Sequence, residues 1–298
     1  MSATLACLAG NSIYRFLESG RIEARKLSPR KTPWGTSVPI YLVESAPTPY
    51  YLASRYGSGP ARPAPFKINS RANLYALKEL GVEAVLCWSA AGAISHNLGI
   101  GNLVVPDDLI DFSRLRPATF FENSDRGFVR QFPVFCPRMR CELAGVTAQM
   151  DLNCHCSGTA AVAEGPRMET PAEVRMLATV GAEIVTHALA PEAFLAKELR
   201  LCLAGACYLV DYAETGSRHR PFSTGELFGG LTQASNGERL EKIQNALPEL
   251  VARLAEKLAS SKQTCECGSV HAPGSGCSGS SGEDWHTWFE SEMSPPAP

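Results

Sequence analysis

No stretch of this chain of 298 residues approaches the roughly 20 consecutive apolar residues that a membrane-spanning helix needs. The start, Met1-Ser2-Ala3-Thr4, carries neither the basic segment nor the long apolar run of a secretion signal. Both absences lead to the expectation of a cytoplasmic protein with no membrane partner. An excess of positive charge is missing too, since Lys and Arg number 28 against 30 Asp and Glu, a formal net charge of −2. Without a broad basic field no nucleic-acid partner is expected, and any anion has to be met by a local cluster of donors. A small-molecule ligand is therefore the expected partner. Disulfides are not expected either: an odd cysteine count of 11 in a chain without a signal points to reduced thiols. Cys7, Cys87, Cys202 and Cys207 lie inside apolar runs, where a thiol acts as a small hydrophobe.

What is present suits one sizeable core. Hydrophobic residues make up 45% of the chain, enough for a single α/β domain over residues 1–261 in which helices flank a central mixed sheet. Residues 262–298 are Gly/Ser/Pro-rich and too poor in apolar residues to pack, so a disordered tail is expected there. That tail holds Cys265-x-Cys267, His271 and Cys277. Their spacing matches no common zinc module, so no metal site is expected.

The richest stretch runs from Gly158 to Gly216. Glu164-Gly165-Pro166-Arg167 forms a turn, Pro191 to Leu199 has helix formers behind a proline, and Leu201 to Val210 is nearly continuously apolar, as for a strand covered on both faces. Asp211 then falls at the carboxyl end of that strand, the edge where open α/β sheets bind ligands. Upstream, the short apolar run Leu5 to Ala9 delivers Gly10-Asn11-Ser12, whose backbone amides can hold an anion. Val38 to Glu44 and Tyr50 to Arg55 read as paired strands, the second carrying Arg55 and Tyr56 to a loop. Ile68 to Leu80 has apolar residues at helical spacing. Val82 to Trp88 reads as a buried strand, and Ser89-Ala90-Ala91-Gly92-Ala93 as a turn whose small side chains admit a ligand close to the backbone. Glu238 to Ser260 keeps Leu240, Ile243, Leu247, Leu250, Leu254 and Leu258 on one helical face, interrupted by Pro248. After Asp211, a polar run from Ala213 to Arg220 could cover a ligand.

Taken together, Asn69-Ser70-Arg71-Ala72-Asn73, Gly101 to Asp107, Gly158 to Arg167, Gly181 to Val185, Ala190-Pro191-Glu192 with Leu195-Ala196-Lys197-Glu198, and Asp211-Tyr212 resemble the trimeric purine nucleoside phosphorylases in order and spacing. The pattern is most like the methylthioadenosine phosphorylase branch and covers roughly residues 4 to 258. The resemblance implies phosphorolysis of a purine nucleoside, with inorganic phosphate as co-substrate, no further cofactor, and a homotrimer. It assigns phosphate binding to Asn11, Ser12, Arg55, Tyr56, Ser89 and Ala90. It assigns nucleoside binding to Ala91, Gly92, Met168, His187, Ala188, Asp211 and Ala213, with Asp211 as catalytic residue at the purine N7. Phe120 and Phe121 would line a neighbouring subunit's pocket. Several positions depart from the family pattern. Arg-His is here Arg55-Tyr56, Met-Thr is His187-Ala188, the stacking Phe is Met168, and Asp-x-Asp is Asp211-Tyr212-Ala213. Two alternatives therefore stand beside phosphorolysis: a nucleoside hydrolase that uses water, and a non-catalytic nucleoside-binding paralogue.

Overall fold

The computed structural model describes residues 4–58, 63–213, 234–269, 285–289 and 292. The apolar run Leu5–Ala9 forms β1, and its alternation decides the layering. Successive strand residues point to opposite faces. Leu5, Cys7 and Ala9 enter one core, while Ala6 and Leu8 enter the other. A strand buried on both faces has no room for polar alternation, which explains the unbroken apolar sequence.

Around β1 the chain builds β2 (Arg25–Leu27), β3 (Lys31–Thr32), β4 (Gly35–Thr36), β5 (Ile40–Val43), β6 (Tyr50–Ser54), β7 (Ala84–Ala93), β8 (Leu103–Val104), β9 (Asp108–Asp111), β10 (Cys154–His155), β11 (Thr159–Val162), β12 (Ile184–Thr186) and β13 (Cys202–Tyr212). The helices are α1 (Ile13–Glu18), α2 (Ser70–Glu79), α3 (Pro137–Gln149), α4 (Pro171–Thr179), α5 (Glu192–Glu198), α6 (Ala234–Asn245) and α7 (Leu247–Ser260). Apart from the small β3–β4 pair, the strands form one mixed sheet with the path β10-β8-β13-β7-β1-β6-β5-β2. A branch of β12, β11 and β9 leaves it at β7. The expected pairing of the Tyr50 strand with its predecessor is present as the antiparallel pair β5–β6.

Helices α3 and α7 cover the face that receives Leu5 and Cys7, with Met139, Leu143, Val146, Leu250 and Leu254 fully buried or nearly so. Helices α2 and α5 cover the other face through Leu74, Leu77, Leu195 and Leu199. Burying each such leucine stabilises the fold by about 1.5–3 kcal/mol. Helix α2 starts because the Asn69 side chain accepts a hydrogen bond from the Ala72 amide, and α4 because Thr170 and Glu173 form a reciprocal capping box. Pro248, which interrupts the apolar stripe in the sequence, stands in the first turn of α7, and the stripe is divided there between α6 and α7.

Two expectations are corrected here. Ser89 to Ala93 form no turn: β7 continues through them, because β13 pairs along one side and β12 joins antiparallel on the other, Val185 opposite Gly92. Phe120 and Phe121 are core aromatics of their own chain, 0% and 7% exposed. Of residues 262–298, the described residues 285–289 touch the domain. Phe289 is fully buried, 5.0 Å from the Trp34 ring and stacked 5.2 Å from Phe121. Arg200 lies 4.2 Å from the Trp288 ring, and His286 hydrogen-bonds the Tyr75 hydroxyl. An average over the tail dilutes its three aromatics, Trp285, Trp288 and Phe289, which are concentrated enough to dock. His271 and Cys277, and Glu214 to Arg220 of the polar run, lie outside the described residues.

Candidate active site

The long central strands deliver their carboxyl ends to one edge. There the Arg55 amide donates to Ala9 O, 3.0 Å, which sets Arg55 beside the Gly10-Asn11-Ser12 turn. The Ser54 hydroxyl donates to the Asn11 side-chain oxygen, so β6 also fixes Asn11. Ser12 precedes α1, with its hydroxyl at that of Tyr208 on β13.

Arg55 is 7% exposed and tightly engaged. Its Nη2 donates to the Tyr56 hydroxyl at 2.8 Å and to His187 O at 2.9 Å. Its Nη1 lies 3.9 Å from Glu192 Oε1, which also accepts from the Ser70 hydroxyl at 3.0 Å. Glu192 is buried at the start of α5, and its Oε2 has no hydrogen-bond partner among the described residues. A buried guanidinium and a buried carboxylate hold each other's charge, and removal of either leaves an uncompensated ion.

Next to this pair, Thr186 at the end of β12 joins the β7 backbone. Its hydroxyl donates to Ala90 O at 2.8 Å and meets the Ser89 hydroxyl at 3.2 Å. The Ala188 amide donates back to Thr186 Oγ1, 3.3 Å, which shapes the loop that follows. In that loop Leu189 adopts φ 82, a left-handed conformation that costs a leucine energy and is held by complete burial. Burial also holds His187 below its ordinary pKa, so its imidazole is neutral near pH 7, with Nδ1 3.2 Å from Ala163 O.

On the other side of β7 stands Asp211, 2% exposed. It lies inside β13, one step before the end, rather than beyond the strand as the sequence suggested. The register with β7 slips between Leu209 and Asp211, and such a bulge re-aims a side chain. The new aim brings the carboxylate against Gly92: a Cβ there would meet Asp211 Oδ1 at 2.9 Å, closer than real Cβ atoms come. Glycine at 92 is thus a requirement of the carboxylate's position. Ala213 packs beside it with Val185 and Ile94.

One arginine outside the expected set ties the edge together. Arg116, 9% exposed, donates to His187 O, Ala190 O, Ala163 O and Glu164 O at 3.0, 2.7, 2.9 and 2.7 Å. It thereby joins the loop after β11 to the loop after β12. Burial pushes the Glu164 carboxyl up, but the Arg114 and Leu115 amides and the Arg116 guanidinium outweigh it and hold it below its ordinary value. A cleft of about 560 Å³ opens alongside, lined in part by Phe112, Arg114, Glu164, Pro166 and Arg167.

Of the residues assigned from sequence, the structure brings together Asn11, Ser12, Arg55, Tyr56, Ser89 to Gly92, His187, Ala188, Asp211 and Ala213. Met168 is not joined to them by any described side-chain contact. It is 39% exposed, on the loop whose Arg167 pairs with Glu173 at 2.6 Å. Thr186, Glu192 and Arg116 contact these residues without having been assigned from sequence. Thr186 had a signal, a hydroxyl closing the apolar run Ile184-Val185. Arg116 had none, since four carbonyls from two distant loops cannot be read from the Ser113-Arg114-Leu115-Arg116 segment.

The strand ends of this doubly covered mixed sheet thus carry a buried arginine, paired hydroxyls and a buried carboxylate along one edge. The family profile of the phosphorylase superfamily matches residues 59–256, and the chain belongs to that superfamily. It is 32% identical over 263 residues to a probable S-methyl-5'-thioinosine phosphorylase of Methanothermobacter thermautotrophicus, covering 88% of this chain and 87% of the relative. A probable 6-oxopurine nucleoside phosphorylase of Thermococcus kodakarensis is 36% identical over 217 residues, 70% of this chain and 80% of that one. Among solved structures, a methylthioadenosine phosphorylase from an antarctic soil metagenomic library superposes with a TM-score of 0.78 at 25% identity, with 91% of each chain covered.

Proposed function

We propose that the protein is a purine nucleoside phosphorylase, which cleaves the N-glycosidic bond with inorganic phosphate to give a free purine and a sugar 1-phosphate. The observation that carries this reading is the convergence of Arg55, the Ser89–Thr186 hydroxyl pair and Asp211 on one sheet edge, in a superfamily member. In this reading the Gly10-Asn11-Ser12 amides, Arg55 and Ser89 hold the phosphate, and what supports it is that the turn, the guanidinium and the hydroxyl follow or end the adjacent strands β1, β6 and β7. A phosphate oxygen attacks the sugar's anomeric carbon, the bond to the purine breaks, and its electron pair leaves with the base. That base takes up a proton at N7 from solvent as charge develops, and the ionised Asp211 accepts a hydrogen bond from the N7–H that forms, acting as the relay for that proton. The small residues Ala91 and Gly92 let the nucleoside lie against β7. His187 and Ala188 hold the ribose in this reading. No cofactor beyond phosphate enters the scheme.

The same reading makes the protein cytoplasmic and homotrimeric, and light scattering of the purified protein tests the trimer. Asp211, as a carboxylate, favours an aminopurine, because it accepts from an amino group and cannot donate to a 6-oxo oxygen. The experiment is a panel of adenosine, inosine, guanosine and their 5'-methylthio analogues, each with and without phosphate, scored for free base. Base release that requires phosphate is the expected outcome. Equal release without phosphate would make the protein a hydrolase, and no release with retained nucleoside binding would make it a binding paralogue.

A further inference from the structure

Far from the ligand edge, three separate segments bring thiols together. Cys136 immediately precedes α3, Cys202 opens β13, and Cys265 and Cys267 follow α7. Their Sγ atoms all lie within 4.8 Å of one another, with Cys202 and Cys265 at 3.4 Å. Four thiolates at about 2.3 Å from a zinc ion stand about 3.8 Å apart in a tetrahedron, so the observed spacing is that of a ligand set. We propose that Cys136, Cys202, Cys265 and Cys267 form a closed tetrathiolate site for one structural zinc ion.

The surrounding structure holds these thiols in place by other means. The Cys136 amide donates to Leu203 O at 2.8 Å, which locks the start of α3 to the first residues of β13. The Cys202 amide donates to Glu83 O at 2.9 Å. Arg138, on the first turn of α3, donates to Leu258 O at 2.6 Å and Ser261 O at 3.0 Å and so fixes the exit of α7, just before Cys265-Glu266-Cys267. Two of the ligands are buried and two partly buried, packed against the α3–α7 core. Zinc with four thiolates carries a net charge of −2, and the Lys197 ammonium, which interacts electrostatically with Cys267 and Cys136 while donating to Pro133 O, offsets part of it. Binding releases four thiol protons and changes no oxidation state.

The local spacing groups Cys265-x-Cys267 with His271 and Cys277, which matches no common zinc module. The partners are instead distant in sequence, brought by β13 and α3. With four protein ligands the ion keeps no open position, so the site is structural. It lies at the amino end of β13, roughly 30 Å from Asp211 at about 3.3 Å per residue from Cys202 along the strand.

The test is metal analysis of the full-length protein, produced with zinc available, kept reduced and gel-filtered. About one zinc per chain is expected, falling below about one-tenth in Cys265→Ser and Cys267→Ser and unchanged in Cys141→Ser, whose exposed thiol lies outside the cluster. Chelation of the wild type should lower its melting temperature, while the same treatment of Cys267→Ser leaves it unmoved. Wild-type protein that is folded yet holds less than one-tenth zinc per chain overturns the site. So does a disulfide joining any two of the four cysteines in protein purified without reductant, or full zinc content in both tail variants.

Discussion

The two ends of β13 are built on opposite plans. At the carboxyl end Asp211 stands against Gly92, and the neighbouring strand ends carry Arg55 and Thr186, buried polar side chains that donate to the carbonyls of His187 and Ala90. At the amino end Cys202 meets three other thiols and an apolar core. Helix α5 repeats the contrast in reverse, with Glu192 facing Arg55 at its start and Lys197 near the thiols at its close. The difference teaches that this fold separates chemistry from anchoring. The ligand edge spends burial on charged groups that pay no stability dividend by themselves, whereas the far edge gathers the chain's last helix and the segment after it onto the sheet.

Substitutions at each end can break that division. The largest expected effect is Arg116→Ala. It leaves the carbonyls of His187, Ala190, Ala163 and Glu164 without their donor in a largely buried setting, and should cost about 3–5 kcal/mol in urea unfolding. A loss below about 1 kcal/mol would mean that water replaces the guanidinium freely. Arg55→Ala comes next. It strands the buried Glu192 carboxylate, and a cost of about 3 kcal/mol is expected together with a raised phosphate KM. Arg55→Ala with Glu192→Gln should recover most of the stability and none of the phosphate affinity, which separates the two roles.

Glu198, near the anchoring end, gives a pH test. Burial pushes its carboxyl up from the usual 4.5 to about 7, against hydrogen bonds from the Phe120 amide and the Thr119 hydroxyl. A group raised in the folded state contributes stability that is fully present below its unfolded value and lost as pH rises through the folded one. Urea midpoints should therefore fall between pH 4.5 and 7, by no more than roughly 3 kcal/mol, and Glu198→Gln should flatten that fall. An unchanged slope would show that the two donors neutralise the burial penalty. The smallest effect on stability is expected from Gly92→Ala, about 1–3 kcal/mol, because the new methyl meets Asp211 Oδ1 at 2.9 Å. Its turnover should nevertheless fall at least tenfold, since only the carboxylate can move aside.

Much of this division was legible in the sequence. The apolar runs at Leu5–Ala9 and Cys202–Val210 announced central strands because burial on both faces removes polar alternation, and strand ends then pointed to Asn11, Arg55 and Asp211. What escaped was whatever depends on long-range meeting. The Ser89–Ala93 stretch looked like a turn because its residues are small, yet they are small so that β12 and β13 can close on β7. Arg116 joins two loops that are distant in sequence. Phe289 was averaged away by the Gly/Ser-rich residues around it, and the cysteines of the far edge come from three segments that share no local motif.

The most direct test of the account compares Asp211→Ala with wild type in turnover of one accepted purine nucleoside under excess phosphate, with melting temperature measured on the same samples. The account predicts a loss of at least about a hundredfold in turnover with the thiol end, and hence most of the melting temperature, left intact. Turnover at the wild-type rate in folded Asp211→Ala protein would contradict it and move the base site away from this strand end.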